Sequence, residues 1–570
     1  MTVSRMKILF LTTAFNSLGQ RAFVELRALG HQVSIELAIK NEWMEEAIEL
    51  FQPDLVVAPF LKTILPASIW KKCPCLIVHP GIHGDRGPSS LDWAILQEHA
   101  EWGVTILQAV AEVDAGDVWS TQNFPMRVAA KSSLYRREVT ETAIESLLRV
   151  IQRYSDGDFR PEPLNYNDPS VKGRQQPVAK QAARAFDWTQ PTDVIHRRIL
   201  SGDSQPGVLT QIEGEELFVF GPHPEDELRG EPGRILAVRD DAICVGTGDG
   251  AIWISHLRRP STKETVTIKL PAAHVLGSRL RDVPVLPLSP FAARHGRTFR
   301  EIRYEEHDSV GHLHFDFYNG AMSTSQCERL IAAYRFAQQR PTRAIVLWGG
   351  TEFWSNGIHL NTIEAATDPA EESWRNINAI NDLVLAILTT TDKITISAIQ
   401  GNAGAGGVML ALAADKVVCR RAVVLNPHYK GMGNLFGSEY WTYSLPKRVG
   451  QQMAQQITTS LLPLGAEDAL RIGMIDAVFP TKMSEFRHRV QEYAARLVTP
   501  STFSQLLHDK NRRRSEDEVQ KPLQQYRDEE LANMRANFWG PDPAYHEARR
   551  RFVHKAPACR TPRHLAMHRI

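Results

Sequence analysis

The chain has 570 residues, of which 43% are hydrophobic and 23% charged, with a net charge of +1. This length is too great for one ordinary domain and predicts several, and the composition is that of a globular protein. No run of eighteen apolar residues occurs, which excludes a predicted membrane span. The near-neutral balance does not by itself decide on nucleic acid; neither nucleic acid nor a membrane is expected as a partner.

The opening stretch "MTVSRMKILFLTTAFNSLGQ" has the apolar run of a short signal segment but no clean small-residue cleavage site. "KILFLTTAF" reads better as a first buried strand. Six cysteines stand at Cys73, Cys75, Cys244, Cys327, Cys419 and Cys559. No C-x-x-C occurs, so the pattern is that of a reduced, cytoplasmic protein without a zinc or disulfide framework, and no metal is expected.

From Met1 to about Leu164, apolar runs alternate with amphipathic stretches. "KILFLTT" leads into "LGQRAFVELRALGH" and "VSIELAI" into "EWMEEAIELFQ", followed by "DLVVAPF" and "CLIVHP". The alternation predicts βαβ units on an open parallel sheet. Residues 159–180, "FRPEPLNYNDPSVKGRQQPVAK", read as a linker. From Ala182 to about Leu288, short strands with tight turns ("GTGDGAIWIS") predict a small OB-like β-barrel. Beyond "PLSPFAARHGRT" the α/β alternation returns to about Val498, and a helical, charged tail follows. The expected fold class is therefore α/β, with domains over 1–180, 181–290 and 291–570.

"LIVHPGIHGDRGPSSLDWAI" places His79 at the C-terminal end of a predicted parallel strand, where open α/β sheets bind ligands. Ser89-x-x-Asp92 has the spacing of a capping box. Downstream, "WGVTILQAVAEVDAGDVW" brings Asp114. A histidine and a carboxylate at such strand ends can shuttle a proton, the carboxylate setting the tautomer and charge of the ring. Spacing alone favours a backbone-bonded histidine and a turn-capping aspartate.

This segment resembles the formyltransferases that use N10-formyltetrahydrofolate, whose pattern is roughly N-x-H-x-S-L-L-P-x-x-R-G followed by D-x-G. His79, Arg86-Gly87 and Asp114-Ala115-Gly116 match in order, with one residue deleted in the loop. "FDWTQPTDVIHRRILSGDSQPGVLT" resembles the C-terminal domain of methionyl-tRNA formyltransferase, so the likeness covers about half the chain. The family asparagine falls on Ile77, which donates nothing to an oxyanion. Losing such a donor costs roughly 3–4 kcal/mol, and Asn16 is one replacement to consider.

"AIVLWGGTEFWSNGIHL" and "ITISAIQGNAGAGGVMLALAAD" each read as strand, glycine turn and helix. Two such turns can aim the N–H groups of Ile358 and Gly406 at one oxygen. Either turn alone reads as tight helix–strand packing. A dinucleotide fingerprint fails, because Met409 holds the third required position. The pair resembles the crotonase (enoyl-CoA hydratase) superfamily, whose oxyanion hole holds a CoA thioester carbonyl. Hydratase glutamates align with Met409 and near His428, and both carboxylates are absent. Groups of this kind are each worth roughly 10²–10⁴ in rate, so hydration is not expected. "NPHYKGMGNLFGSEYWTY" supplies His428, Tyr429, Lys430, Glu439 and Tyr440 in their place; the same segment also reads as a solvated loop before an aromatic helix.

The order of parts resembles the HypX/HoxX family of [NiFe]-hydrogenase maturation proteins over essentially the whole chain. The resemblance implies a formyltransferase-like half and a crotonase-like half. It implies formyl transfer from N10-formyltetrahydrofolate to coenzyme A, then decarbonylation of formyl-CoA to CO and CoA. His79 and Asp114 would serve transfer, Ile358 and Gly406 the oxyanion hole, and Tyr429 and Glu439 the protons. His428, Lys430, Asn16 and Arg86 are accessory positions. The implied partners are small molecules and hydrogenase maturation factors or the hydrogenase large-subunit precursor. Release of formate, or a non-catalytic delivery scaffold, are the alternative readings.

Overall fold

Five of the six residues of "KILFLT" are buried, and they form β1 (Lys7–Thr12) in the computed structural model, which describes residues 5–157, 159–293 and 295–570. With β2 (Gln32–Leu37), β3 (Leu55–Ala58), β4 (Cys75–His79), β5 (Glu101–Gln108) and β6 (Val118–Pro125), it builds an open sheet of order β2-β1-β3-β4-β5-β6. β1 to β4 are mutually parallel, as near-continuous apolar runs covered on both faces require. β5 alone runs against its neighbours β4 and β6. Residues 109–117 between β5 and β6 are too few for the crossover of about a dozen residues that a parallel pair needs.

Asn16 opens α1 (Ser17–Ala28), its Oδ1 accepting from the Gly19 N–H at 3.0 Å. At α2 (Ser90–Leu96) the expected capping box does not form. The Ser89 hydroxyl instead accepts from the Ala179 N–H at 3.1 Å. Asp92 turns to the buried Arg184 and to Lys131, since two cations outbid one backbone amide for a buried carboxylate. The supposed linker is likewise tied down. Val171 and Ala179 are buried, Gly173 N–H donates to His83 O at 2.9 Å and Gln176 N–H to Arg86 O at 2.9 Å. It straps the loop that follows β4.

The small domain has α3 (Thr192–Gly202), β7 (Val208–Ile212), β8 (Glu215–Glu225), β9 (Ile235–Arg239), β10 (Ala242–Gly246), β11 (Ala251–Arg258) and β12 (Leu270–Pro271). The antiparallel path runs β7-β8-β11-β10-β9, with β12 on β11. The expected barrel is corrected to an open sheet, because no pairing joins β7 to β9 among the described residues. Ile195 and Ile199 of α3 share the core of Val219 and Ile254, so a helix covers the face that closure would have shut.

The first compact unit comprises Met1–Leu286, Gly296–Phe299 and Pro557–Ile570; the second comprises Pro287–His295 and Arg300–Ala556. The last segment therefore leaves the 291–570 domain drawn from sequence and returns to the edge strand β2. Ile35 N–H donates to Leu565 O at 3.0 Å and Leu37 N–H to Thr561 Oγ1 at 2.8 Å, which covers an otherwise open edge. Buried Glu36 accepts from Arg569 at 2.7 Å.

The second unit holds β13 (Ile302–His307), β14 (Val310–Phe315), β15 (Ala344–Trp348), β16 (Phe353–Ser355), α4 (Pro369–Leu388), β17 (Ile394–Ile399) and β18 (Asn402–Gly404). It continues through α5 (Gly406–Leu412), β19 (Lys416–Arg420), β20 (Val424–Asn426), β21 (Leu464–Gly465), β22 (Ala477–Phe479) and α6 (Leu523–Trp539). One sheet is β13-β14-β15-β17-β19-β22, parallel beyond its first pair. The second is β16-β18-β20-β21, and its parallel β16–β18 pairing sets the two glycine turns side by side. Asp368 caps α4 by accepting from Ala370 and Glu371 N–H, with proline at the first turn, the arrangement that pre-orders a helix start. No helix among the described residues is long and apolar enough to cross a membrane.

A β-carbon on Gly407 would overlap the carbonyl oxygen of Ser355, and backbone cannot swing aside as a side chain can. Gly407→Ala should therefore cost about 1–3 kcal/mol or more, the range for overpacking, read as a lower midpoint in denaturant unfolding of the full chain.

Candidate functional site

β4 delivers His79 to the carboxyl end of the first sheet, and the loop that follows folds back onto it. His79 Nε2 lies 2.8 Å from Asp85 Oδ2, and Nδ1 lies 3.5 Å from Asp114 Oδ2. The ring is held between two carboxylates. Gly81 makes this possible, because a β-carbon there would overlap both the imidazole and the Asp85 carboxylate. Asp114 has a left-handed φ of 51°, and its carboxylate accepts from Gly87 N–H at 3.2 Å. Arg86 joins the two loops by donating to Val113 O at 2.9 Å and to Glu112 at 2.8 Å. Burial pulls the His79 pKa down, but the Asp85 hydrogen bond and the charges of Asp114 and Asp85 outweigh it and raise it above the ordinary value. The environment favours the imidazolium.

Asp85 escaped the sequence reading. It lies within the family motif at a position where the aligned pattern demands nothing, and its pairing depends on a turn closed by Gly81. Ile77 is half-buried and packs at the margin of a core with Leu11 and Val56. Asn16 is committed elsewhere: besides capping α1, its Nδ2 donates to Tyr135 Oη at 3.3 Å.

In the second unit, Gly357 has φ 76°, and a β-carbon on it would stand 3.4 Å from Gly406 N. The amides of the two turns are thus close. Ala405 takes φ 44°, a left-handed conformation that costs a non-glycine residue of order 1–3 kcal/mol, and the chain turns there into α5. The Gly406 N–H, at the first position of a helix, has no intrahelical acceptor. Met409 is fully buried in the core.

Glu439 packs against Gly406. A β-carbon on Gly406 would overlap its carboxylate. Tyr429 Oη donates to Glu439 Oε2 at 2.8 Å, and Gly437 leaves the room that the Tyr429 ring occupies. Glu439 is 1% exposed, and burial, aided by the neighbouring Glu530, pushes its pKa up to about 7 against the lowering hydrogen bonds from Tyr429 and Ser438. Burial, together with Glu439, also pushes Tyr429 well above its ordinary range. His428 is half-buried and Lys430 exposed, whereas Tyr429 and Glu439 are buried. Two further groups, unseen in sequence, hold Glu439: Asn381 of α4 accepts from its N–H at 2.8 Å, and Glu530 of α6 binds the residues that follow. No group of three or more His, Cys, Asp or Glu placed to hold a metal occurs among the described residues.

Comparison with known proteins accounts for both halves. The formyl transferase family matches residues 7–151, its C-terminal domain family residues 179–270, and the enoyl-CoA hydratase/isomerase family residues 307–555. The chain is 48% identical to the hydrogenase maturation factor HoxX of Bradyrhizobium diazoefficiens, over 99% of this chain and 98% of that protein. The chain belongs to the HypX/HoxX family of hydrogenase maturation factors. The crystal structure of HypX from Aquifex aeolicus in complex with tetrahydrofolic acid superposes with a TM-score of 0.96 at 48% identity, covering 100% of this chain and 99% of that one. Methionyl-tRNA formyltransferase of Bacillus licheniformis is 26% identical over 40% of this chain and 72% of its own length. The HypX/HoxX likeness thus spans both units, whereas the methionyl-tRNA formyltransferase likeness covers less than half of this chain.

Replacing Asp85 removes one of the two carboxylates that raise the His79 pKa against the opposing effect of burial. In Asp85→Asn the His79 resonance should titrate at lower pH than in the wild type, measured by histidine NMR; an unmoved titration would mean that Asp114 alone sets the charge.

Proposed function

We propose that this chain transfers the formyl group of N10-formyltetrahydrofolate to coenzyme A at the His79 site and decarbonylates the resulting formyl-CoA at the Glu439 site. The CO would become a ligand of the active-site iron in a [NiFe]-hydrogenase, in keeping with the maturation role of the family. The observation that carries the reading is the packing of Glu439 on Gly406: a buried carboxylate fills the space beside the α-carbon of the residue whose amide a thioester carbonyl would need.

The first site offers a buried imidazole between carboxylates that favour its cationic form. A charged His79 can polarise the formyl carbonyl where Ile77 cannot, and Asp114 fixes the ring. The tetrahydrofolic acid bound by the A. aeolicus relative supports a folate donor here. At the second site the amides of Ile358 and Gly406 would hold the formyl oxygen. Glu439 takes the formyl proton, the C–S bond breaks with its electron pair leaving on sulfur, and the sulfur is protonated, from Tyr429 or the Glu439 carboxyl. HC(O)–S–CoA becomes CO and HS–CoA, with no oxidant, reductant or water consumed. The absence of the hydratase carboxylates at Met409 and His428 fits a reaction that activates no water. As a base Glu439 must be ionised, so CO formation should rise with pH through about 7.

Full-length protein supplied with N10-formyltetrahydrofolate and CoA should release CO, trapped by haemoglobin. Formate in its place would favour a hydrolase, and no turnover would favour a delivery scaffold. His79→Ala should abolish formyl transfer while added formyl-CoA is still consumed; equal loss in both assays would mean one inseparable site.

Glu439→Gln preserves shape and removes proton traffic. CO formation from formyl-CoA should fall by at least about 10², while CoA affinity measured by calorimetry stays near wild type, because the oxyanion hole is backbone. A wild-type rate would make Glu439 structural.

A further inference from the structure

The helix α6 buries Leu523, Glu530, Met534 and Phe538. Three of these are apolar, at spacings that form one helical stripe. The fourth is a glutamate with 0% exposure. A carboxylate in such a stripe costs stability unless its oxygens are satisfied, and here both are. Oε2 accepts from Tyr440 N–H at 2.9 Å, and Oε1 accepts from Thr442 N–H at 2.9 Å and from the Thr442 hydroxyl at 2.6 Å. Ser438 Oγ stands 3.3 Å from Oε2. The same helix face continues along the loop: Asn537 Oδ1 accepts from Phe436 N–H at 2.9 Å, and Met534 Sδ lies 3.2 Å from Gly437 N.

The segment gripped in this way is the one that aims the catalytic carboxylate. Glu439 and Tyr440 take φ of 60° and 56°, consecutive left-handed residues that are not glycine. Such a pair is costly and persists only where its surroundings over-determine it. Asn381 holds the turn on one side, through Glu439 N–H and Ser438 Oγ, and Glu530 holds it on the other.

We propose that Glu530 is a positioning residue of the second site: through both carboxylate oxygens it holds the left-handed turn that presses the Glu439 carboxylate against Gly406. The inference rests on the reading of Glu439 as the proton carrier. Glu530 also acts through its charge. Burial pushes its own pKa up to about 7, and its negative charge adds to the rise at Glu439. The other titratable groups around the pair are Tyr429, which donates to Glu439, Cys327, which feels its charge, and Arg527 and Asp382 beside Tyr440. Of these, Glu530 is the carboxylate that raises Glu439.

Glu530→Gln tests this in the full chain. It keeps the volume, removes the charge, and sets an amide N–H₂ against a backbone N–H that needs an acceptor. Formyl-CoA consumption at pH 7 should fall by at least about tenfold, within the cost of a misplaced catalytic group. Its rise with pH should move to lower pH, because the like charge next to Glu439 is gone. The milder Thr442→Val deletes one donor to Glu530 at nearly constant volume and should lower the same rate by less, so the test survives a poorly folded glutamine variant. Both substitutions should lose their effect in a Glu439→Gln background, while formyl transfer and CoA affinity stay near wild type. A pH profile that does not move, or a rate loss that persists undiminished in the Glu439→Gln background, would overturn the positioning role. A wild-type rate for Glu439→Gln alone would overturn the proton-carrier reading instead, and the two failures are distinct.

Discussion

The Glu439 carboxylate occupies the volume that a β-carbon on residue 406 would fill, and much of the second unit is arranged around that exclusion. Glycine at 406 lets the carboxylate approach the backbone more closely than any side chain there would allow. The cost appears on both sides of the contact: Ala405 in one turn, and Glu439 with Tyr440 in the other, adopt left-handed backbone. Strain of that kind has to be held by rigid neighbours. Around the Glu439–Tyr440 turn the long helix α4 supplies Asn381 and the tail helix α6 supplies Glu530, and Gly437 clears the space for Tyr429. The charged tail thus packs a helix against the turn that carries Glu439.

The two buried centres solve opposite electrostatic problems. Burial disfavours any charged form. At His79 two carboxylates reverse that tendency and favour the cation; at Glu439 a second carboxylate reinforces it and favours the neutral acid. In each, a glycine without a β-carbon lets the partners meet, Gly81 in the first and Gly406 in the second. The strap of residues 159–180 then closes over the loop that carries Asp85, fixing it by backbone hydrogen bonds to His83 and Arg86.

The βαβ units of the first half and the two glycine turns are legible because local periodicity and short motifs carry them; His79 and Asp114 stand out through their motif, and Tyr429 and Glu439 only through the family resemblance. What escaped depends on long-range closure. Asp85 pairs with a residue six positions away only because the turn between them folds back. Asn381 and Glu530 meet Glu439 and its turn from 58 and 90 positions away. In "RDEELANM" nothing separates Glu530 from Glu529 until the helix face is known, since three consecutive acids read as one exposed run. The linker reading failed for a related reason: proline- and asparagine-rich composition describes a segment without regular structure, not one without partners. The barrel failed at closure, which no single strand encodes.

Ile77 and Met409 look like two separate losses from two ancestral sites, yet one electrostatic argument covers both. An asparagine at 77 would supply a neutral donor; with His79 already biased towards the cation by Asp85 and Asp114, a second donor adds less than it would beside a neutral ring. A glutamate at 409 would lie in a core where Met409 is fully buried, in the same unit as two carboxylates whose pKa values already stand at about 7. A third buried carboxyl would have to take up a proton or displace one of them. On the proposed reading the chain keeps Glu439 as proton carrier and fills position 409 with an apolar core side chain, a combination suited to removing a proton from carbon and unsuited to delivering water.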